Sequence, residues 1–265
     1  MSRIAEAFAR AKDDNRAALV IYLSAGDPDL ETTIALVLAA AEAGADVIEL
    51  GVPFSDPSAD GPSIQRASER ALASGTTLTG VLGAVRTIRE STSVPILLFG
   101  YYNPIITYGE ERLVRDAKDA GVDGFLVVDL PPEECAPLYG PASAAGLDLV
   151  PLLAPTSTPG RIEAAASIAS SFIYYVSLTG VTGAHAVALG GAAERAHALS
   201  EQVGLPVALG FGVKTPADAQ EVAAHADGVV VGSAIVDAAA AADGQQAKVA
   251  AVRDLVTALA AAMAK

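Results

Sequence analysis

Glu49 interrupts an apolar run, Val47-Ile48-Glu49-Leu50-Gly51. A carboxylate in such a run is costly to bury unless it is paired or protonated. Low dielectric raises its pKa, which suits a group that must accept and donate protons near neutral pH. In an extended segment Val47 and Glu49 share one face, and Ile48 and Leu50 the other. If Ile48 and Leu50 pack beneath helices, Glu49 points into an interior. The competing reading is a structural carboxylate bonded to interior polar groups. The next stretch, Pro53-Phe54-Ser55-Asp56-Pro57-Ser58-Ala59-Asp60-Gly61-Pro62, has the composition of a shaped loop. Either Asp56 or Asp60 could be a second acid–base group opposite Glu49. Each also reads as a turn residue, and Asp60 as the N-cap of a helix starting near Pro62-Ser63-Ile64.

Three later segments carry further chemistry. Phe172-Ile173-Tyr174-Tyr175-Val176-Ser177 holds two adjacent tyrosines that must face opposite ways, and parity does not choose between them. Thr179-Gly180-Val181-Thr182-Gly183 has the composition of a lid, or of an ordinary long connection. Leu209-Gly210-Phe211-Gly212 and Val231-Gly232-Ser233-Ala234 each place glycine after an apolar run. Glycine lets backbone approach an anion, and the N–H groups at a helix start point at it.

The elements that must position these residues alternate along the chain. Ala43-Gly44-Ala45-Asp46, Ala120-Gly121-Val122-Asp123 and Ala145-Gly146-Leu147-Asp148 each read as a helix stop followed by a strand, with glycine in the left-handed conformation. His225-Ala226-Asp227 precedes a fourth strand in the same way. With runs at Ala18–Leu23, Pro95–Gly100, Phe172–Val176 and Pro206–Gly210, eight strands are expected. Helices are expected at Asp29–Ala43, Thr77–Ser91, Gly109–Ala120, Pro132–Ala145, Thr158–Ser167, Gly191–Val203, Thr215–Ala224 and Lys248–Met263, with an extra one, Ile4–Lys12, ahead of the first strand. Asp29, Thr77, Thr158 and Thr215 are natural N-caps. Eight βα units over residues 1–265 predict a single-domain (β/α)8 TIM barrel with an added N-terminal helix. The rival, a doubly wound open sheet, often carries G-x-G-x-x-G after its first strand, where this chain has Ala25-Gly26-Asp27-Pro28. In a barrel, active sites sit at the C-terminal strand ends, and the loops after strands 7 and 8 often bind phosphate.

Composition narrows the function. Seventeen Lys and Arg against 31 Asp and Glu give a net charge of −14, which repels nucleic acid. An anionic substrate therefore needs backbone N–H groups or a local cation. One cysteine, Cys135, excludes an intrachain disulfide and a Cys-rich zinc site. His185, His197 and His225 lack metal-ligand spacing, so no metal is expected. With no lysine at a strand end, Lys214 being read as solvated, a Schiff-base aldolase is disfavoured. No leader or membrane span is expected, and a cytoplasmic protein is the default.

Together, Ile48 to Pro57 with Ala59-Asp60-Gly61-Pro62, and Gly26-Asp27-Pro28 after strand 1, resemble the signature of the tryptophan synthase α-subunit family. Tyr174 with Ser177 and the segment Thr179–Gly183 resemble its lid region, and Gly210–Gly212 and Gly232–Ala234 its phosphate site. The resemblance implies cleavage of indole-3-glycerol phosphate to indole and glyceraldehyde 3-phosphate. It implies Glu49 as the main acid–base group and Asp60 as the partner of the indole N–H. It implies Tyr22, Tyr101, Tyr174, Thr182 and Phe211 at the substrate, and Gly183, Gly212, Gly232 and Ser233 at the phosphate. It also implies a β-subunit partner in an α2β2 complex that carries pyridoxal phosphate, with no cofactor in this chain. Two departures stand out: Leu178 where many relatives have Arg, and Ser24 where Thr is common. The rival functions are another phosphate-binding barrel, which should lack the strand-2 signature, and a non-catalytic scaffold, which should have lost an acid.

Overall fold

A computed structural model describes residues 1–176, 185–210 and 212–263. Nine parallel strand segments form one sheet, ordered β5-β4-β3-β2-β1-β9-β8-β7-β6. They are β1 (Ala18–Ser24), β2 (Val47–Gly51), β3 (Ile96–Gly100), β4 (Gly124–Val127), β5 (Asp148–Leu149), β6 (Leu152–Leu153), β7 (Ile173–Val176), β8 (Val207–Gly210) and β9 (Gly228–Val231). The two ends of that order, β5 and β6, are halves of one run broken at Val150 and Pro151. The Val150 N–H donates to Phe125 of β4, and the Pro151 carbonyl accepts from Tyr174 of β7. The sheet therefore closes on itself, and the expected eight-strand barrel has its fifth strand in two pieces. Proline lacks the N–H that would continue the ladder there.

Side chains alternate between two cores. Ile48 and Leu50 lie in the outer layer under the helices, with Ile21, Leu98, Phe125 and Tyr175. Val20, Tyr22, Val47, Leu97, Phe99, Leu126 and Tyr174 fill the interior. The strand-2 alternation thus holds, and Tyr174 is the inward tyrosine of its pair. Helix α1 (Arg3–Asp13) closes the N-terminal end of the barrel. It buries Ile4, Ala7, Phe8 and Ala11 among the inward strand residues, and Phe8 stacks on Phe172 at 4.7 Å.

The helices along the chain are α2 (Leu30–Glu42), α3 (Pro62–Ala73), α4 (Leu78–Arg89), α5 (Tyr102–Tyr108), α6 (Glu110–Ala120), α7 (Ala136–Ala144), α8 (Pro159–Ile168), α9 (His185–Val203), α10 (Pro216–Ala223), α11 (Ser233–Ala241) and α12 (Gly244–Ala262). Asp29, Thr77, Thr158 and Thr215 cap their helices through side-chain oxygens. Four helix-start expectations need correction. The N-cap of α3 is Gly61, so Asp60 is not spent on capping. The Pro132 segment is a 3-10 turn (Pro132–Glu134) ahead of α7. Helix α9 begins at His185, six residues before Gly191, and α12 at Gly244, four before Lys248. Glycines in these segments mask helices that packing sustains.

The recurring Gly-x-Asp unit has a physical reason. Gly44, Gly121 and Gly146 all have positive φ, ending their helices as expected. Asp46 then accepts from the Leu19 N–H at 2.8 Å, Asp123 from Ile96 at 2.7 Å, and Asp227 from Val207 at 2.9 Å. Each carboxylate satisfies an amide at the start of a neighbouring strand. Arginines neutralise two of them: Arg16 pairs with Asp46, and Arg3 and Arg89 both pair with Asp123 at 2.6 Å. Asp123→Ala strands a mostly buried Arg89. It is expected to cost roughly 3 kcal/mol and to lower the melting temperature by roughly 8 °C, measurable by calorimetry. An unchanged melting temperature would show these clamps to be dispensable.

Candidate active site

Glu49 stands on β2, in register with Tyr22 of β1 and Leu97 of β3. It is 1% exposed, and its Oε1 has no hydrogen-bond partner among the described residues. Burial pushes its carboxyl up to about 8, so the neutral acid prevails at neutral pH. The structural-carboxylate reading needs partners, and this oxygen has none among the described residues.

Asp60 comes from the β2–α3 loop. Burial pushes its carboxyl up to about 6, against a hydrogen bond from the Tyr101 hydroxyl at 3.0 Å that lowers it. The same hydroxyl accepts from the Ala59 N–H at 3.0 Å, so Tyr101, at the end of β3, pins the loop beside the carboxylate. Asp56 lies at the exposed tip of the loop and bonds to Ser55, so of the two candidate acids it is Asp60 that faces the site.

Three tyrosines complete the wall. Tyr22 packs edge-on against Phe99 at 5.2 Å, and its hydroxyl accepts from Ser24 at 3.3 Å. Burial first and the Asp60 charge second push that hydroxyl well above its ordinary value. Burial, then Glu49 and then Asp60, do the same to Tyr174. Both hydroxyls thus feel the charges of Asp60 and Glu49. Two glycines make room for the phenols: a Cβ on Gly51 would lie 2.1 Å from the Tyr22 oxygen, and one on Gly210 2.0 Å from that of Tyr174. Tyr22, Ser24, Gly51, Asp60, Phe99 and Tyr101 frame a small pocket.

On the other side of the mouth, Gly212 follows β8 with φ +94°, and Gly232 is the N-cap of α11, whose first residue is Ser233. The first amides of α11 have no carbonyl behind them in the helix. A Cβ on Gly232 would lie 3.5 Å from the Cβ of Tyr22, so this helix start adjoins the pocket. Thr182, Gly183 and Phe211, with Ser177, Leu178 and the whole Thr179–Gly183 lid segment, lie outside the described residues. His197 and His225 lie with Lys12 and Arg16 around a cavity of about 470 Å³ at the opposite end of the barrel, and Lys214 is exposed.

A family model described as the tryptophan synthase alpha chain matches residues 8–264. The chain belongs to the tryptophan synthase alpha chain family. Its relatives include the tryptophan synthase alpha chain of Geobacter sulfurreducens, 56% identical over 236 residues and 89% of each chain. That of Citrifermentans bemidjiense is 57% identical over 89% of this chain and 88% of its own. Among solved structures, tryptophan synthase subunit alpha from Legionella pneumophila superposes with a TM-score of 0.90 at 38% identity, covering 99% of this chain and 98% of that one. A chain of Mycobacterium tuberculosis tryptophan synthase gives 0.88 at 38% identity, covering 100% and 99%. These neighbours are TIM barrels, in agreement with the closed sheet. The tryptophan synthase α reaction is the lyase cleavage of indole-3-glycerol phosphate to indole and glyceraldehyde 3-phosphate, and that is the activity of this enzyme. The family works with a β subunit. No helix among the described residues is long and apolar enough to cross a membrane.

Two contributors escaped sequence reasoning: Ser68 and Gln65 on α3, which grip the loop carrying Asp60. A signal was present. Ile64, Ala67 and Ala71 mark an apolar stripe at helical spacing, and Ser68 sits within it.

Proposed function

We propose that Glu49 and Asp60 are the acid–base and electrostatic pair of the α reaction. The observation that carries this reading is a buried carboxyl whose Oε1 has no partner among the described residues, in register with Tyr22, which lines a pocket together with Asp60; burial pushes the two carboxyls to different values, about 8 and about 6. Environments that push two carboxyl pKa values apart separate an acid from an anion.

Glu49 donates its proton to indole C3, which breaks the ring's aromaticity and leaves positive charge on the ring nitrogen. Asp60 accepts a hydrogen bond from that N–H and stabilises the charge as it develops. The Glu49 carboxylate then takes the proton of the glycerol hydroxyl on the carbon attached to C3. The C–C bond breaks, its electron pair restores the indole ring, and the hydroxyl carbon becomes the aldehyde. Glu49 ends protonated, as it began. Gly212, Gly232 and Ser233, with Gly183, hold the phosphate through backbone amides, which is how an acidic protein binds an anion. Tyr22, Tyr101, Tyr174, Thr182 and Phe211 enclose the rest of the substrate.

The same reading places the chain in the cytoplasm, in an α2β2 complex with a tryptophan synthase β subunit. Pyridoxal phosphate belongs to that partner, and this chain carries no cofactor. Exposure of Ser55, Asp56 and Ser58 suits a loop that meets the partner. Turnover of indole-3-glycerol phosphate, with and without a β subunit, tests the assignment. Indole release by the chain alone, accelerated by the partner, is expected; no indole under either condition would overturn it.

A further inference from the structure

The β2–α3 loop, residues 52–61, has an exposed tip: Ser55, Asp56, Ser58 and Ala59 all face solvent. Bonds within the tip, Ser58 N–H to Asp56 and Asp60 N–H to Pro57, shape it but do not attach it to the barrel. Between its ends, where Val52 and Gly61 make backbone bonds, its attachment runs through side chains. Tyr101 holds the Ala59 amide and the Asp60 carboxylate. The other two anchors come from α3. The Ser68 hydroxyl accepts from the Phe54 N–H and donates to the Phe54 carbonyl, both at 2.9 Å. One hydroxyl thereby satisfies both backbone groups of a residue that has left the sheet. The Gln65 side-chain amide donates to the Asp60 carbonyl at 2.9 Å.

Helix α3 is itself tied down. Arg70 makes a two-pronged ion pair with Asp27, both bonds 2.7 Å, in the loop after β1. Such forked pairs fix geometry as well as charge. A rigid path therefore runs from the β1 loop through α3 to both ends of the segment that presents Asp60. Helix packing does not account for Ser68: at 6% exposure beside Ala67 and Ala71, alanine would fill the position.

We infer that Ser68 and Gln65 are positioning residues of the α reaction, which fix the backbone on either side of the Asp60 loop tip so that its carboxylate meets the indole N–H. The inference rests on the role proposed for Asp60. Misplacing a reacting group by about an ångström can cost on the order of 100-fold in rate. With one of three anchors lost, Ser68→Ala is expected to lower kcat about tenfold, with KM and the affinity for inorganic phosphate within about twofold. Gln65→Ala, at a half-buried site, is expected to lower kcat at least threefold. Ser68→Thr keeps the hydroxyl and is expected to recover most of the loss. Parental kcat in both alanine variants would overturn the inference, as would Ser68→Thr being as slow as Ser68→Ala. Asp60→Asn, assayed alongside, separates the two levels: if it retains parental activity, the role of Asp60 itself has failed.

Discussion

Glu49→Gln is expected to reduce indole release by on the order of 1,000-fold or more, with KM changed by no more than a few-fold. Glutamine matches the neutral acid in size but has no proton to give C3 and cannot take one from the glycerol hydroxyl. Both steps are lost together, so the loss falls on kcat. Stability should move the other way. The folded-state pKa of about 8 lies above the usual carboxylate value, so the neutral form holds the fold fully only at low pH. As pH rises past the unfolded value, the unfolded chain ionises while the folded one resists, and stability is lost until the folded group ionises near 8. The glutamine variant escapes this loss. It is expected to melt several degrees above the parent at about pH 8, with the gap closing towards about pH 5. Parental turnover, or a variant less stable than the parent at alkaline pH, would contradict the assignment.

Asp60→Asn is expected to lower kcat/KM by roughly 100- to 1,000-fold, the scale of losing one well-placed electrostatic contact in a dry site. Asparagine can still accept the indole N–H but brings no charge to the cation that forms. The pH profile distinguishes this from simple damage. The parent needs Asp60 ionised and Glu49 protonated, so kcat/KM should rise through about 6 and fall through about 8. In Asp60→Asn the acid limb should vanish and the alkaline limb remain. Persistence of the limb near 6 in the variant would assign it to another group.

Much of this was legible in the sequence because period and punctuation are local. The Gly-x-Asp units announced strand starts, and the alternation in Val47-Ile48-Glu49-Leu50 put Glu49 on the face opposite Ile48 and Leu50, which is inward once those two pack beneath helices. Other features depend on packing. Helices α5 and α11 lack strong caps: Tyr101 and Gly232 precede them without a side-chain bond, so their starts carry little local signal. The break in strand 5 follows from a closure that only the assembled barrel defines. The choice between Asp56 and Asp60, and between Tyr174 and Tyr175, turns on three-dimensional direction. Tyr101 illustrates the limit most clearly. Family resemblance put it near substrate, but its grip on Ala59 and Asp60 spans 42 and 41 residues of sequence and is visible only in the fold.

The claim on which the mechanism turns is that Glu49 is a neutral acid when substrate arrives. Infrared difference spectra between the protein and Glu49→Gln, recorded across pH, read that proton directly. The account predicts a protonated-carboxyl C=O band that persists at neutral pH and disappears with a midpoint near 8. A band already gone by about pH 5, the ordinary range for a glutamate, would contradict it.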